Sequence, residues 1–263
     1  MNPRQRALDI LALGDPTAKA REARALFATL DLDALDTEAV LTPTSPLPGR
    51  PPLPRLVAAL DVPKRSPFTL EGRAALLHSV THIELNAIDL ALDAAWRFTG
   101  MPSAYYRDWL LVASEEALHF TLLREHLQTL GFDYGDFDAH DGLWAMTQRT
   151  AHDITARMAL VPRTLEARGL DATPPMQAKL RKAGDLRAVE ILVVILRDEV
   201  GHVAIGNHWY RWLCARDGFD PVALYPVLAE RHGAPRPRAP FNIEARRAAG
   251  FTANEIAALG ENA

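Results

Sequence analysis

The sequence predicts an all-α protein organised around an antiparallel four-helix bundle, and three observations carry that prediction. No stretch of appreciable length alternates apolar and polar residues as a half-buried strand would. Of the 19 prolines, only Pro102, Pro162, Pro174 and Pro175 fall between Phe68 and Asp220, which leaves a helix-compatible centre between two irregular flanks. Within that centre, start and stop signals delimit four helices of 26 to 33 residues, each about 40 to 50 Å long. The expected organisation is therefore an N-terminal region over 1–67, a bundle over 68–220 and a helical extension over 221–263.

The elements follow in chain order. Arg4 to Leu13 and Thr17 to Leu30 read as short amphipathic helices. The proline-rich stretch from Thr42 to Pro54 must be extended or irregular, and is expected to wrap the surface. Helix A runs from Thr69 to Thr99 and stops at Gly100 and Pro102; helix B runs from an N-cap at Ser103 to Leu130 and stops at Gly131. Helix C runs from Leu143 to Arg168, before Gly169, with Pro162 expected to kink it or break one turn. Helix D runs from an N-cap at Asp185 to Asp217, before Gly218. Beyond it lie Pro221 to Arg231, a Pro/Arg segment, and a last helix whose Thr252 and Glu255 have capping-box spacing.

Composition narrows the function classes. The formal charge is −4 and the pI about 6.1, which excludes a generally basic nucleic-acid binder. The arginines Arg231, Arg236, Arg238, Arg246 and Arg247 could form a local RNA surface, but are read as solvated or paired with acids. The longest strictly apolar run, Ile191 to Leu196, is six residues, far short of the roughly 20 that a membrane helix needs, so no membrane partner is expected. Asp9 interrupts the N-terminus before an apolar stretch of signal-peptide length accumulates, and Cys214 is the single cysteine; both point to a cytoplasmic protein.

The chemistry lies in two repeats. Helix B carries Glu115-Glu116-Ala-Leu-His119 and helix D carries Asp198-Glu199-Val-Gly-His202. Residues three apart on a helix are neighbours, so Glu116 with His119 and Glu199 with His202 can each converge on one point. Leu192 and Ile195 share nearly the same face as Glu199, and a carboxylate and an imidazole on a core-facing stripe cost several kcal/mol unless something compensates them. A bound cation would do so. A lone Glu84 precedes Glu116 by 32 residues, and a lone Glu166 precedes Glu199 by 33, so the arrangement occurs twice. Two helices giving Glu and two giving Glu-x-x-His make up the ligand set of ferritin-like dinuclear carboxylate bundles. Four carboxylates, two imidazoles and no thiolate suit two iron ions, with manganese as the alternative.

Other residues receive subordinate readings. Glu166 lies close to the Gly169 stop, so Pro174 to Ala183 is expected to extend the path of helix C; failing that, His152 is the substitute ligand, 14 residues earlier on nearly the same face. Asp198 and Glu115 turn about 100° away from the ligand glutamates and are expected to accept the free N–H of a ligand histidine. His82 is expected to be hydrogen-bonded or at an interface, and His78, His126, His140, His208 and His232 to be ordinary. Glu190 is expected at solvent or an interface. Tyr105 and Trp109 near the Glu116 direction are core filling or electron relays.

The stretches His82-Ile-Glu-Leu-Asn-Ala-Ile-Asp-Leu, Glu115-Glu-Ala-Leu-His-Phe, Met158 to Asp171 and Arg197 to Gly206 resemble the uncharacterised ferritin-like family known as domain of unknown function 455. The resemblance covers nearly the whole chain, including Leu47-Pro-Gly-Arg-Pro and Phe241-Asn-Ile-Glu-Ala-Arg-Arg. Leu165-Glu-Ala-Arg is also similar to the third-helix Glu-Ala-Arg of bacterial tRNA hydroxylases, which favours Glu166 over His152 as the ligand. The resemblance implies a ferritin-like fold and a di-iron site. The expected activity is O₂-dependent oxidation of a small organic substrate by a monomer or homodimer with an unidentified electron donor. The alternatives are iron oxidation or peroxide removal without an organic substrate, tRNA hydroxylation, and a polar cluster satisfied without metal.

Overall fold

A computed structural model describes residues 1–261, with side chains to residue 259. Helices account for all its regular structure, with one isolated bridge, Leu56 to Ala139, and no strand among the described residues. The chain divides into two compact units, Met1–Trp144 and Ala145–Ala263.

In the first unit, Asn2 and Asp15 cap two short helices, α1 (Pro3–Leu11) and α2 (Pro16–Ala28), each with proline in its first turn where the missing N–H costs nothing. The Thr69 hydroxyl accepts the Gly72 N–H and opens α3 (Leu70–Arg97). Gly100 at φ +70° turns the chain into α4 (Ser103–Thr129). The N-cap of α4 is Pro102, not Ser103, which lies inside the helix, and no side chain caps this end. α3 packs along α4, α1 packs on α3 and α2 on α4, around a core that includes Leu77, Ile88, Ala91, Trp109 and Leu123. The proline-rich stretch has no regular structure, as expected, and buried cations hold the irregular connections. Arg4 donates to the carbonyl oxygens of Asp36, Thr37, Ala39 and Trp96. Lys19 joins the Gly49 carbonyl at 2.9 Å to the Asp89 carboxylate at 2.6 Å.

The single helix C of the sequence reading is four pieces. α5 (Gly142–Arg149) ends before a turn, and Asp153 accepts the Ala156 N–H to start α6 (Ile154–Leu160). A π-helical turn (Val161–Glu166) follows, then α7 (Ala167–Lys182). Pro162 therefore falls in a π-helical turn and not in a regular α-helix. Proline cannot donate to the residue four back and clashes with its carbonyl, and an i→i+5 turn accommodates both. The Thr164 hydroxyl donates to the Ala159 carbonyl, five residues back, at 2.8 Å. Gly169 does not stop the helix, and Pro174 and Pro175 lie inside α7, which carries helix C onward as the sequence required.

Asp185 caps α8 (Leu186–Asp217), which ends at a left-handed Gly218 and packs against α6, the π turn and α7. The remainder comprises α9 (Pro221–Arg231), α10 (Ile243–Ala248) and α11 (Ala253–Glu261). The capping box at α11 forms as expected: Thr252 N–H donates to Glu255 at 2.7 Å, and Glu255 N–H donates to the Thr252 hydroxyl at 3.3 Å. α10, which the sequence reading did not anticipate, attaches to α7 through Arg246, whose guanidinium grips Asp171 with two contacts of 3.1 and 2.6 Å. Ala249 and Phe251 continue that attachment into a small core with Ala167, Leu170 and Val203. No helix among the described residues is long and apolar enough to cross a membrane.

Candidate metal centre

In the first unit, Glu84 sits at the middle of α3, and Glu116 and His119 sit one turn apart on α4. All three are at most 2% exposed. One oxygen from each carboxylate and one imidazole nitrogen lie within 4.8 Å of one another. His119 Nδ1 is 3.2 Å from Glu84 Oε2 and 3.2 Å from Glu116 Oε2. One ring nitrogen carries one proton or one lone pair, so hydrogen bonding serves only one of these contacts fully. Ligand atoms about 2.1 Å from a common ion stand about 3.0 Å apart at octahedral angles and about 3.4 Å apart at tetrahedral ones. The observed separations match the edges of such a polyhedron.

Electrostatics point the same way. Burial, followed by the neighbouring Glu116 carboxylate, pushes the Glu84 carboxyl well above the ordinary carboxylate range, against a smaller opposing pull from His119. Two buried carboxylates side by side cannot both remain ionised without positive charge. A cation among the three groups would supply it, and these residues could hold a metal ion.

In the second unit, Glu199 and His202 lie one turn apart on α8, both buried, and Glu166 is buried at the end of the π turn. A methyl placed on Gly169 would come within 3.9 Å of the Glu199 carboxyl carbon, so this carboxyl lies against the first turn of α7, directly after Glu166. The π turn alters the registration that a continuous α-helix would give Glu166.

The subordinate residues fall as follows. His152 is exposed in the turn between α5 and α6, and the break there removes the common helix on which its substitute role was based. Asp198 accepts two contacts from Arg197, at 2.7 and 3.0 Å. Glu115 is half-buried on α4. Glu190 is exposed beside Arg187, as expected of a solvent position.

His82 is a hydrogen-bonded core histidine, as expected: Nδ1 meets the Tyr134 hydroxyl at 2.8 Å and Nε2 meets the His140 carbonyl at 3.2 Å. Burial lowers its pKa to about 3 and that of its neighbour His78 to about 4, so both are neutral near neutrality. His78 Nε2 accepts the Gly135 N–H at 2.9 Å and its ring stacks on Tyr134. Sequence reasoning missed Tyr134, which lies in an irregular connection where no periodicity marks a ring packed on His78. Tyr105 and Trp109 are buried and edge-packed at 6.3 Å, with the Tyr105 hydroxyl on the Ala94 carbonyl.

Residues 12–257 match the sequence profile of the family described as "Protein of unknown function (DUF455)". An uncharacterised protein of Haemophilus influenzae is 49% identical over 257 residues, covering 94% of this chain and 89% of that protein. No solved structure matches the chain. A match over nearly the whole length, together with a relative of this identity, shows that the chain belongs to the DUF455 family.

Proposed function

We propose that the protein is a dinuclear metal carboxylate protein on a ferritin-like four-helix frame and acts as an O₂-dependent oxidase or oxygenase on a small organic substrate. The observation that carries the reading is the buried Glu84, Glu116 and His119 cluster, whose 3.2 Å separations fit coordination to a common ion. Its support from the sequence is the repeated pattern, in which Glu166, Glu199 and His202 supply an equivalent carboxylate, carboxylate and imidazole set. Oxygen and nitrogen donors without thiolate favour iron, with manganese second. A ferrous pair would supply electrons to O₂.

The protein's own groups have defined tasks in this reading. Glu116 and His119, one turn apart on α4, would hold the ion together with Glu84, whose carboxyl would give up its proton when the ion binds. Ile88, one turn beyond Glu84 on α3, and Val112 and Ala113, one turn before Glu116 on α4, are buried and would help keep water from the cluster.

Metal analysis and oxygen uptake by protein purified without chelators test the reading. Bound iron or manganese near two equivalents and ferrous-dependent O₂ consumption, both lost in Glu116→Ala, are expected. Protein that binds neither metal and gains no thermal stability on adding either would overturn it.

A further inference from the structure

The second unit contains a pocket of about 520 Å³ that the metal ligands do not line. Its walls come from the π turn, from α9, from the Pro/Arg segment and from α11, with Val222, Tyr225, Pro226, Phe251 and Leu259 making it largely apolar. That volume and lining are those of a small-molecule site rather than of a packing defect. Thr164 lines the pocket and Glu166 does not; residues two apart on a helix do not face each other, so the pocket and the ligand carboxylate occupy different faces of the turn.

The polar group that matters is Arg163, which is 5% exposed. Its guanidinium carbon lies 5.2, 5.3 and 4.8 Å from the ring centroids of Tyr210, Tyr225 and Phe251. Nη1 donates to Asn207 Oδ1 at 2.6 Å and Nη2 to Glu255 Oε1 at 2.7 Å. Nε–H is buried and has no acceptor among the described residues. Leaving such a donor unmatched costs about 1–3 kcal/mol, and more where the group is charged.

The neighbouring groups do not take it. Both Glu255 oxygens are in use, Oε1 by Arg163 and Oε2 by Arg211, the Thr252 amide and the Thr252 hydroxyl. Thr164 donates to Ala159, so the 2.9 Å contact between Thr164 and Tyr225 uses the phenol proton. Charge is also left over. Arg163 and Arg211 share the single carboxylate of Glu255, Arg246 is balanced by Asp171, and the exposed Arg236 and Glu230 on the lining offset each other. These groups leave one excess positive charge around the pocket, on Arg163 and Arg211 together, beside a buried N–H donor on a lining residue and an apolar chamber.

We infer that this pocket binds a small organic anion with one oxyanionic head and an apolar body, of the monocarboxylate class, with its head on Arg163. The site goes beyond the metal chemistry and does not depend on it.

Titration calorimetry of the full chain with sodium octanoate at neutral pH tests the inference, with octylamine as the probe of matched body and opposite head. Saturable one-to-one octanoate binding is expected, with octylamine at least tenfold weaker. Ala229→Trp, which fills the chamber from α9, and Arg163→Gln, which removes the donor, should each weaken octanoate at least tenfold, with circular dichroism reporting that each variant folds. If Arg163→Gln does not fold, Ala229→Trp alone decides. Absence of saturable octanoate binding to the native chain, equal affinity for octylamine, or unchanged affinity in folded Ala229→Trp overturns the inference.

Discussion

Replacing Gly206 by alanine isolates what holds the π turn in place. Gly206 lies inside α8, where alanine is ordinarily the better helix former by about 1 kcal/mol. The structure reverses that expectation. A Cβ at this position would stand 2.5 Å from Pro162 Cβ and 2.6 Å from Pro162 Cγ, well inside the 3.4 Å where ordinary contact begins. The proline ring has no rotamer to yield, and it is fixed in a turn whose Thr164 hydroxyl is bonded back to Ala159. Relief requires the turn to move by the better part of an ångström, which places the substitution among overpacking changes that cost about 1–3 kcal/mol. Gly201 is the internal control: it lies on the same helix with nothing within 4 Å of its Cβ position. Gly201→Ala should gain about 0.5–1 kcal/mol in urea denaturation followed by far-UV circular dichroism. Gly206→Ala should lose up to about 2 kcal/mol after its propensity gain is counted. The two variants should thus differ by the overpacking cost of about 1–3 kcal/mol, and equal gains in both would refute the close seating of Pro162.

Three further expectations follow from other groups. Glu84→Gln removes one of two adjacent buried carboxylates and should stabilise metal-free protein by about 1 kcal/mol, a rise of about 2–4 °C in melting temperature, while abolishing stabilisation by added metal; a lower melting temperature in chelator counts against the repulsion. Lys19→Met or Asp89→Leu alone should cost about 3–5 kcal/mol by stranding a buried charge, whereas the double variant should recover most of the loss, as a double-mutant cycle would show. His78 and His82 stay neutral in the fold to about pH 4 and about pH 3, while their unfolded counterparts titrate near 6.5. Their contribution is therefore complete above pH 6.5 and is lost as pH falls below it, because the unfolded chain then binds more protons. The slope should reach about 2.7 kcal/mol per pH unit between pH 6 and 4, and a flat urea midpoint over that range would contradict their burial as neutral rings.

The long elements were legible because their punctuation is local. Gly100, Gly131, Asp185 and Gly218 mark boundaries that any neighbouring structure would respect, and the observed helices begin or end within three residues of them. The first unit's cluster was legible for the same reason, since i,i+3 spacing on α4 needs only a helix, and Glu84 needs only a helix hairpin. The π turn was not legible. Pro162 announces a defect, but whether the helix kinks or widens depends on the space that Gly206 leaves, and that contact is tertiary. Asp153 carried a readable N-cap signal that the continuous apolar pattern around it obscured. Gly169 read as a stop because glycine often closes helices, yet here it lies within the first turn of α7, beside the Glu199 carboxyl. The roles of Arg4, Lys19 and Tyr134 depend on partners 30 or more residues away, and no local pattern encodes them.

Arg4 also ties together segments of the first unit that lie far apart in the sequence. Its guanidinium gathers carbonyls from residues 36, 37 and 39 and, 92 positions along the chain, from Trp96 at the end of α3. Contacts so distant in sequence carry a loop-closure cost that must be met before any of them forms. Formation of α1 by itself thus leaves the guanidinium without its acceptors. Arg4 Nη1 anchors the irregular connection at residues 36, 37 and 39, while Nη2 takes the Trp96 carbonyl. One side chain thus fastens α1 and that connection to the last turn of the helix whose centre carries Glu84.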